Sequence, residues 1–196
     1  MIYRILFVTL AALSFNQAIA QFQSFHIEQI QNGGQVPGRT WRIYAEMTNA
    51  GDQLFVVFGD SIHKIEITST KPFYQATGGS AIAKDINRKE AAEDAFLQFD
   101  SWITIGAEDN YDNNTSTLNL NLEEFEKKGG TINSGKEGAW FCIPTQKQAY
   151  CGEDKRILLM QLTTEGQISG KLSLMGKSKD GESYTKYDEK FECGKK

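Results

Sequence analysis

The chain has 196 residues and a net charge of −4, a length that suits one ordinary domain and an acidic balance that gives nucleic acid or anionic lipid no electrostatic footprint. Aromatic residues make up 11% and glycine counts 18 against 3 prolines, a mixture that favours short strands joined by tight turns over helices.

Residues 1–20 read as a cleavable secretory signal peptide. Arg4 gives a short positive n-region, Ile5 to Leu13 is a nearly unbroken apolar run, and Ala18-Ile19-Ala20 is a small–x–small cleavage pattern. Cleavage is expected before Gln21. The apolar run falls short of the about 20 residues that a membrane span requires, and no later stretch is long enough. The expected product is residues 21–196, a single β-sandwich domain, secreted or periplasmic.

Phe25 to Ile30 has the pattern of a first strand, and Asn32-Gly33-Gly34 and Pro37-Gly38 mark a turn-rich link. Thr40 to Met47 alternates strictly, with Trp41, Ile43, Ala45 and Met47 on one side and Arg42, Tyr44 and Glu46 on the other, as a half-buried strand does. Leu54 to Phe58 is apolar on both sides and is expected to be a central strand covered on both faces. After Gly59-Asp60 come Ile62, Ile65 and Ile67. Asn87 to Phe96 is the best helical stretch, its Ala91, Ala92, Ala95 and Phe96 lying among Lys and Glu. Its shortness suggests a crossing segment, not a layer. Phe99 to Gly106 and Leu118 to Leu122 read as strands, and Leu122 to Lys128 as one or two helical turns stopped by Gly129-Gly130. Ala139 to Cys142, Ile157 to Thr163, Ile168 to Met175 and Tyr184 to Phe191 complete the strands. The last three are joined at Glu165-Gly166 and Lys179-Asp180-Gly181, both read as hairpin turns.

These elements predict an all-β fold, mainly β with one short helix: a two-sheet antiparallel sandwich, jelly-roll or Ig-like, with a closed β-barrel as the alternative.

Several blocks, taken in order, resemble an uncharacterised secreted β-rich module of marine and environmental bacteria. They are Thr40-Trp41-Arg42-Ile43-Tyr44-Ala45, Asp52-Gln53-Leu54 with Val57-Phe58-Gly59, Phe99 through Gly106, Gly138-Ala139-Trp140-Phe141, and Arg156 through Thr164. The resemblance covers roughly residues 40–175. It implies a β-rich extracellular domain, with no established activity to carry over.

Cys142, Cys151 and Cys193 all follow the leader, and thiols outside the cytoplasm tend to pair. A Cys142–Cys151 disulfide is preferred, because the segment between them looks like a loop between strands. Closing it would stabilise the fold by roughly 2.7 kcal/mol in the chain-entropy model. Glu108 to Asn114 is the densest run of oxygen ligands. Calcium takes about six to eight oxygens, so Asp109, Asp112 and Asn114 are candidate ligands, and calcium is the one candidate cofactor. The spacing is not that of an EF-hand, and the competing reading is a solvated Asx-rich turn. Asn113 to Ser116 also holds two overlapping glycosylation sequons.

Trp102, Trp140 and Tyr150 are candidates for a sugar-stacking platform, set against core packing for the tryptophans. His26 and His63 lie in no catalytic motif. A carboxylate pair such as Asp100 and Glu108 is the available guess for a glycosidase. Three functions therefore stay open. The first is a non-catalytic module for binding or adhesion, its partner an extracellular glycan, surface polymer or surface protein. The others are a small glycan-active hydrolase and a structural module of the cell envelope.

Overall fold

The computed structural model describes residues 21–194; the expected signal peptide lies outside them. In chain order these residues form β1 (Phe22–Ile30), β2 (Arg39–Met47), β3 (Gln53–Gly59), β4 (Glu66–Ser69), α1 (Arg88–Glu93) and α2 (Ala95–Gln98). There follow β5 (Trp102–Ile103), β6 (Ser116–Leu118), α3 (Glu123–Lys128), β7 (Ile132–Asn133), β8 (Gly138–Phe141), β9 (Arg156–Thr164), β10 (Ile168–Lys177) and β11 (Ser183–Cys193).

The chain is mostly β, in two antiparallel sheets, one of them curled into a half-barrel. The smaller runs β1-β2-β9-β5 and the larger β6-β8-β3-β10-β4-β7, with β11 also on β10. Strand β10 organises the larger sheet. Its first half, Ile168 to Lys171, pairs with β4, and its second half, Ser173 to Lys177, pairs with β3. The apolar faces meet between the sheets: Ile43 and Ala45 of β2 and Leu159 and Leu162 of β9 face a core shared with Leu54 and Val57 of β3 and Leu172 and Leu174 of β10. Each Val, Leu or Ile among them, fully buried, contributes about 1.5–3 kcal/mol of transfer free energy. Phe25 of β1 and Phe191 of β11 close one side edge to face, their centroids 5.3 Å apart.

The strand covered on both faces is β9, not the expected Leu54–Phe58. A register shift where Ile43 and Tyr44 meet β9 inserts an extra residue, Leu159, opposite β2. A bulge of this kind re-aims the side chains around it. Leu158 consequently packs away from the main core, against Ala83, Ile86 and Trp102. Gln161 and Thr163 point the same way. Gln161 donates to the carbonyls of Gln98 and Asp100 at 2.8 and 2.9 Å, and Thr163 to that of Phe99 at 2.7 Å. In β3, Val56 and Phe58 are instead half-buried.

Three other segments depart from expectation. Phe99 to Gly106 contributes only Trp102 and Ile103 to a ladder, because neighbouring backbone groups are spent on Gln161 and Thr163 side chains. The strand expected at Leu118–Leu122 ends at Leu118, where Asn119 turns left-handed at φ 49°. The Glu165-Gly166 turn is not a hairpin. It carries the chain from one sheet to the other, since β9 and β10 pair with different partners. Gly166 is needed there, because a Cβ would lie 2.5 Å from the Ser69 hydroxyl and 2.6 Å from the Lys71 nitrogen. The Lys179–Gly181 turn does close a hairpin, between β10 and β11.

The helical stretch forms as two pieces. Asn87 caps α1 by accepting from Lys89 at 2.9 Å, and Asp94 caps α2 by accepting from Phe96 at 2.8 Å. Together with the 83–85 turn they cover the outer face of the smaller sheet.

Candidate functional site

Two loops face each other across a cavity of about 700 Å³, one running from Gly106 to Asp112 and the other from Lys147 to Gly152. Gln148 sets their spacing. Its side-chain nitrogen donates to the Ile105 carbonyl at 2.8 Å and its oxygen accepts from the Asn114 backbone at 2.7 Å. The 108–114 loop also closes on itself, with Asn113 donating to the Asp109 carbonyl at 2.9 Å and Asp109 accepting from the Tyr111 backbone at 2.8 Å. These bonds make a pre-formed rim.

On that rim stand two rings. Tyr111 is 61% exposed and Tyr150 is 43% exposed, and both line the cavity. The Arg88 guanidinium lies 4.4 Å from the centre of the Tyr111 ring and 2.7 Å from the Asp109 carboxylate. Arg88 thus holds the ring by a cation–π contact and the loop by a charged hydrogen bond. Glu108, Asp112, Lys147 and Arg156 complete the charged lining.

The candidate platform residues part company here. Tyr150 is in the cavity. Trp140 is 0% exposed and Trp102 2%, so neither offers a face to a sugar. Trp140 donates its indole N–H to the Thr104 carbonyl at 2.9 Å and fills the core between the sheets. Trp102 packs beneath the helical cover. Both indoles are buried, one between the sheets and one under the helical cover, which decides for packing over sugar stacking.

Of the candidate calcium ligands, Asp109 already spends one oxygen on Tyr111 and the other on Arg88. Asn114 directs its amide to Gln146 at 3.3 Å. Asp112, at φ 49°, lines the same cavity as Asp109. Among the described residues no three His, Cys, Asp or Glu side chains gather as a metal group.

The expected Cys142–Cys151 disulfide is not formed; all three cysteines are buried free thiols. The geometry explains this. The Cys142 nitrogen bonds to the Phe55 carbonyl and that of Cys151 to the Asp52 carbonyl. Their anchor points, Phe55 of β3 and Asp52 just before it, are three residues apart, about 10 Å at the rise of a strand, and a disulfide needs Cα atoms within about 7 Å. Cys151 donates instead to the Asn49 carbonyl at 3.0 Å. Burial pushes the Cys142 and Cys193 thiols up to about 12.

The carboxylates named for hydrolysis are also engaged. Asp100 is fully buried, and Glu108 pairs with Arg42 at 2.9 Å.

A second polar cluster lies on the outer face of the larger sheet. A bulge in β11, opposite Ser173, puts Asp188 at φ 54°. Its carboxylate meets His63 Nδ1 at 2.6 Å and Lys171 Nζ at 4.0 Å, and Lys171 reaches Glu66 at 3.3 Å. The adjoining open trough, about 770 Å³, is larger than the loop cavity. Its walls are Thr, Ser, Asn, Lys and Glu side chains, and its one aromatic, Phe191, is buried.

The residues missed from the sequence are Arg88, Tyr111, Lys147 and Arg156. Tyr111 was discoverable, being the one aromatic within the Asp/Asn run. The others enter from distant segments.

The fold and cavity define a two-sheet β protein with an aromatic-rimmed polar cavity between loops. Compared with protein-family models, curated proteins and solved structures, the chain matches none.

Proposed function

We propose that this chain is an exported, non-catalytic binding module that takes a glycan or related surface polymer in the cavity between the 106–112 and 147–152 loops. The observation that carries this reading is the pair of exposed rings, Tyr111 and Tyr150, on one cavity whose rim is held in place. A pyranose ring lays its C–H face on an aromatic ring, and the surrounding carboxylate, amide and cationic groups take the hydroxyls. A rim already fixed by Gln148 and Asn113 loses little entropy on binding.

The test is a glycan-array screen of the purified protein, followed by calorimetry on the hits. Tyr150→Ala and Tyr111→Ala each weaken binding by roughly tenfold, the worth of one stacked ring at about 1.4 kcal/mol. Their melting temperatures stay close to that of the parent, since both side chains are exposed. An array without hits, or hits indifferent to both tyrosines, refutes the reading.

A further inference from the structure

Arg156 opens β9 and lines the loop cavity. Its Nε is buried and has no hydrogen-bond partner. The other arginines among the described residues are all engaged. Arg39 donates to the Gly194 carbonyl and lies over Trp41, Arg42 holds Gln161 and Glu108, and Arg88 holds Asp109. Glu46, opposite Arg156 in the ladder, accepts from the Ser24 hydroxyl at 3.0 Å instead. Arg156 is thus the arginine that lines this cavity with a buried donor no protein group accepts.

A buried polar group without a partner is costly to keep, and in a folded protein it calls for an explanation. The paired charges of this cavity cancel, Asp109 against Arg88 and Glu108 against Arg42. What stays unspent is Arg156, Lys147 and Asp112. A planar fork of N–H donors matches the two oxygens of a carboxylate or a sulfate. The rings of Tyr150 and Tyr111 stand on the same cavity.

We infer that the ligand is an anionic saccharide, its carboxylate or sulfate group bound by Arg156 with Lys147 beside it, and its ring laid against Tyr150. This rests on the binding reading above and narrows it to one substrate class. The negative charge of the whole chain does not oppose it. Charges beyond the Debye length of about 8 Å are screened at physiological salt, whereas the guanidinium contact is made at hydrogen-bond distance.

Calorimetry with three probes tests the assignment: a galacturonate tetramer, its carboxyl-reduced counterpart, and a sulfated neutral tetramer. The parent binds at least one of the two anionic probes more tightly than the reduced one, and whichever it is identifies carboxylate or sulfate as the anion. Arg156→Met weakens that binding by about tenfold or more and leaves the reduced probe unaffected. Arg156→Lys, which keeps the charge and loses the fork, weakens it less. It serves as the folded control if the Met variant fails to melt cooperatively. Raising the salt concentration weakens the anionic probe alone. Equal binding of charged and reduced tetramers, or full affinity in Arg156→Met, overturns the anion assignment and leaves the saccharide reading standing. Absence of binding by all three overturns the anion assignment, and the glycan array then decides the broader reading separately.

Discussion

Asp100→Asn should remove a pH dependence from the stability of this fold. Asp100 is fully buried beneath the loop that precedes the helical cover. One oxygen accepts from the Ala76 backbone at 2.8 Å and the other from Ser80 at 3.0 Å. Gly79 lies so close that a Cβ there would fall 2.0 Å from the carboxylate. Burial pushes the carboxyl from 3.8 up to about 6, against the downward pull of the Ala76, Ser80 and Ser101 backbone N–H groups. The native state therefore holds this proton more tightly than the unfolded chain does. As pH rises from about 4 to about 6 the unfolded chain ionises first, and stability falls. The span of about two units corresponds to roughly 3 kcal/mol.

Asparagine keeps the shape and does not titrate. Its NH₂ must face one of the two backbone N–H groups, a fixed cost of about 1–3 kcal/mol. That cost shifts the whole curve without tilting it. Exposed carboxylates that hydrogen bonds pull downward, such as Asp60 with the N–H groups of His63 and Ile62, tilt both proteins equally and cancel in the difference. Urea unfolding of parent and variant at pH 4, 5, 6 and 7.5 reads the effect. The variant gains on the parent by about 2–3 kcal/mol across that range. A difference that stays flat with pH would refute the argument that burial dominates at Asp100.

Two further outcomes follow from packing. The folded protein at pH 8 reacts slowly with an aromatic disulfide reagent, because its three thiols are buried and those of Cys142 and Cys193 are raised to about 12; unfolding in urea exposes all of them. A linked Cys142–Cys151 peptide in an unreduced digest would contradict the separation of their anchor points, Phe55 and Asp52. Gly170→Ala places a Cβ 2.0 Å from the Phe191 ring and destabilises the fold by about 1–3 kcal/mol through overpacking. Adding Phe191→Leu recovers part of that loss, and strictly additive effects in denaturant melts would show that the two do not collide.

Which residues form strands was legible where alternation was strict. Thr40 to Met47 reads inward and outward by turns in the sequence and is half-buried in the structure, because a period of two leaves one face for the core. The hairpin at Lys179–Gly181 was local as well, since a tight turn is made by neighbours in the chain. Tyr150 was legible as a ring in a loop, where no alternation draws it inward.

Tertiary structure alone decided which strands share a sheet. Glu165-Gly166 has the residues of a hairpin, yet the chain crosses between sheets there, because β9 and β10 each find other partners. Pairing is a competition among all strands, and a turn dipeptide does not encode its result. The cysteines show the same limit: ten residues of apparent loop suggested proximity, while Cys142 is held at Phe55 of β3 and Cys151 at Asp52 just before that strand. The cavity is the furthest from the sequence. Arg88, Tyr111, Tyr150 and Arg156 come from four segments, and Arg156 is distinguished only by a buried donor without a partner. Sequence patterns report which face of an element is apolar; where a guanidinium ends up, and what is missing beside it, depends on contacts between residues far apart in the chain.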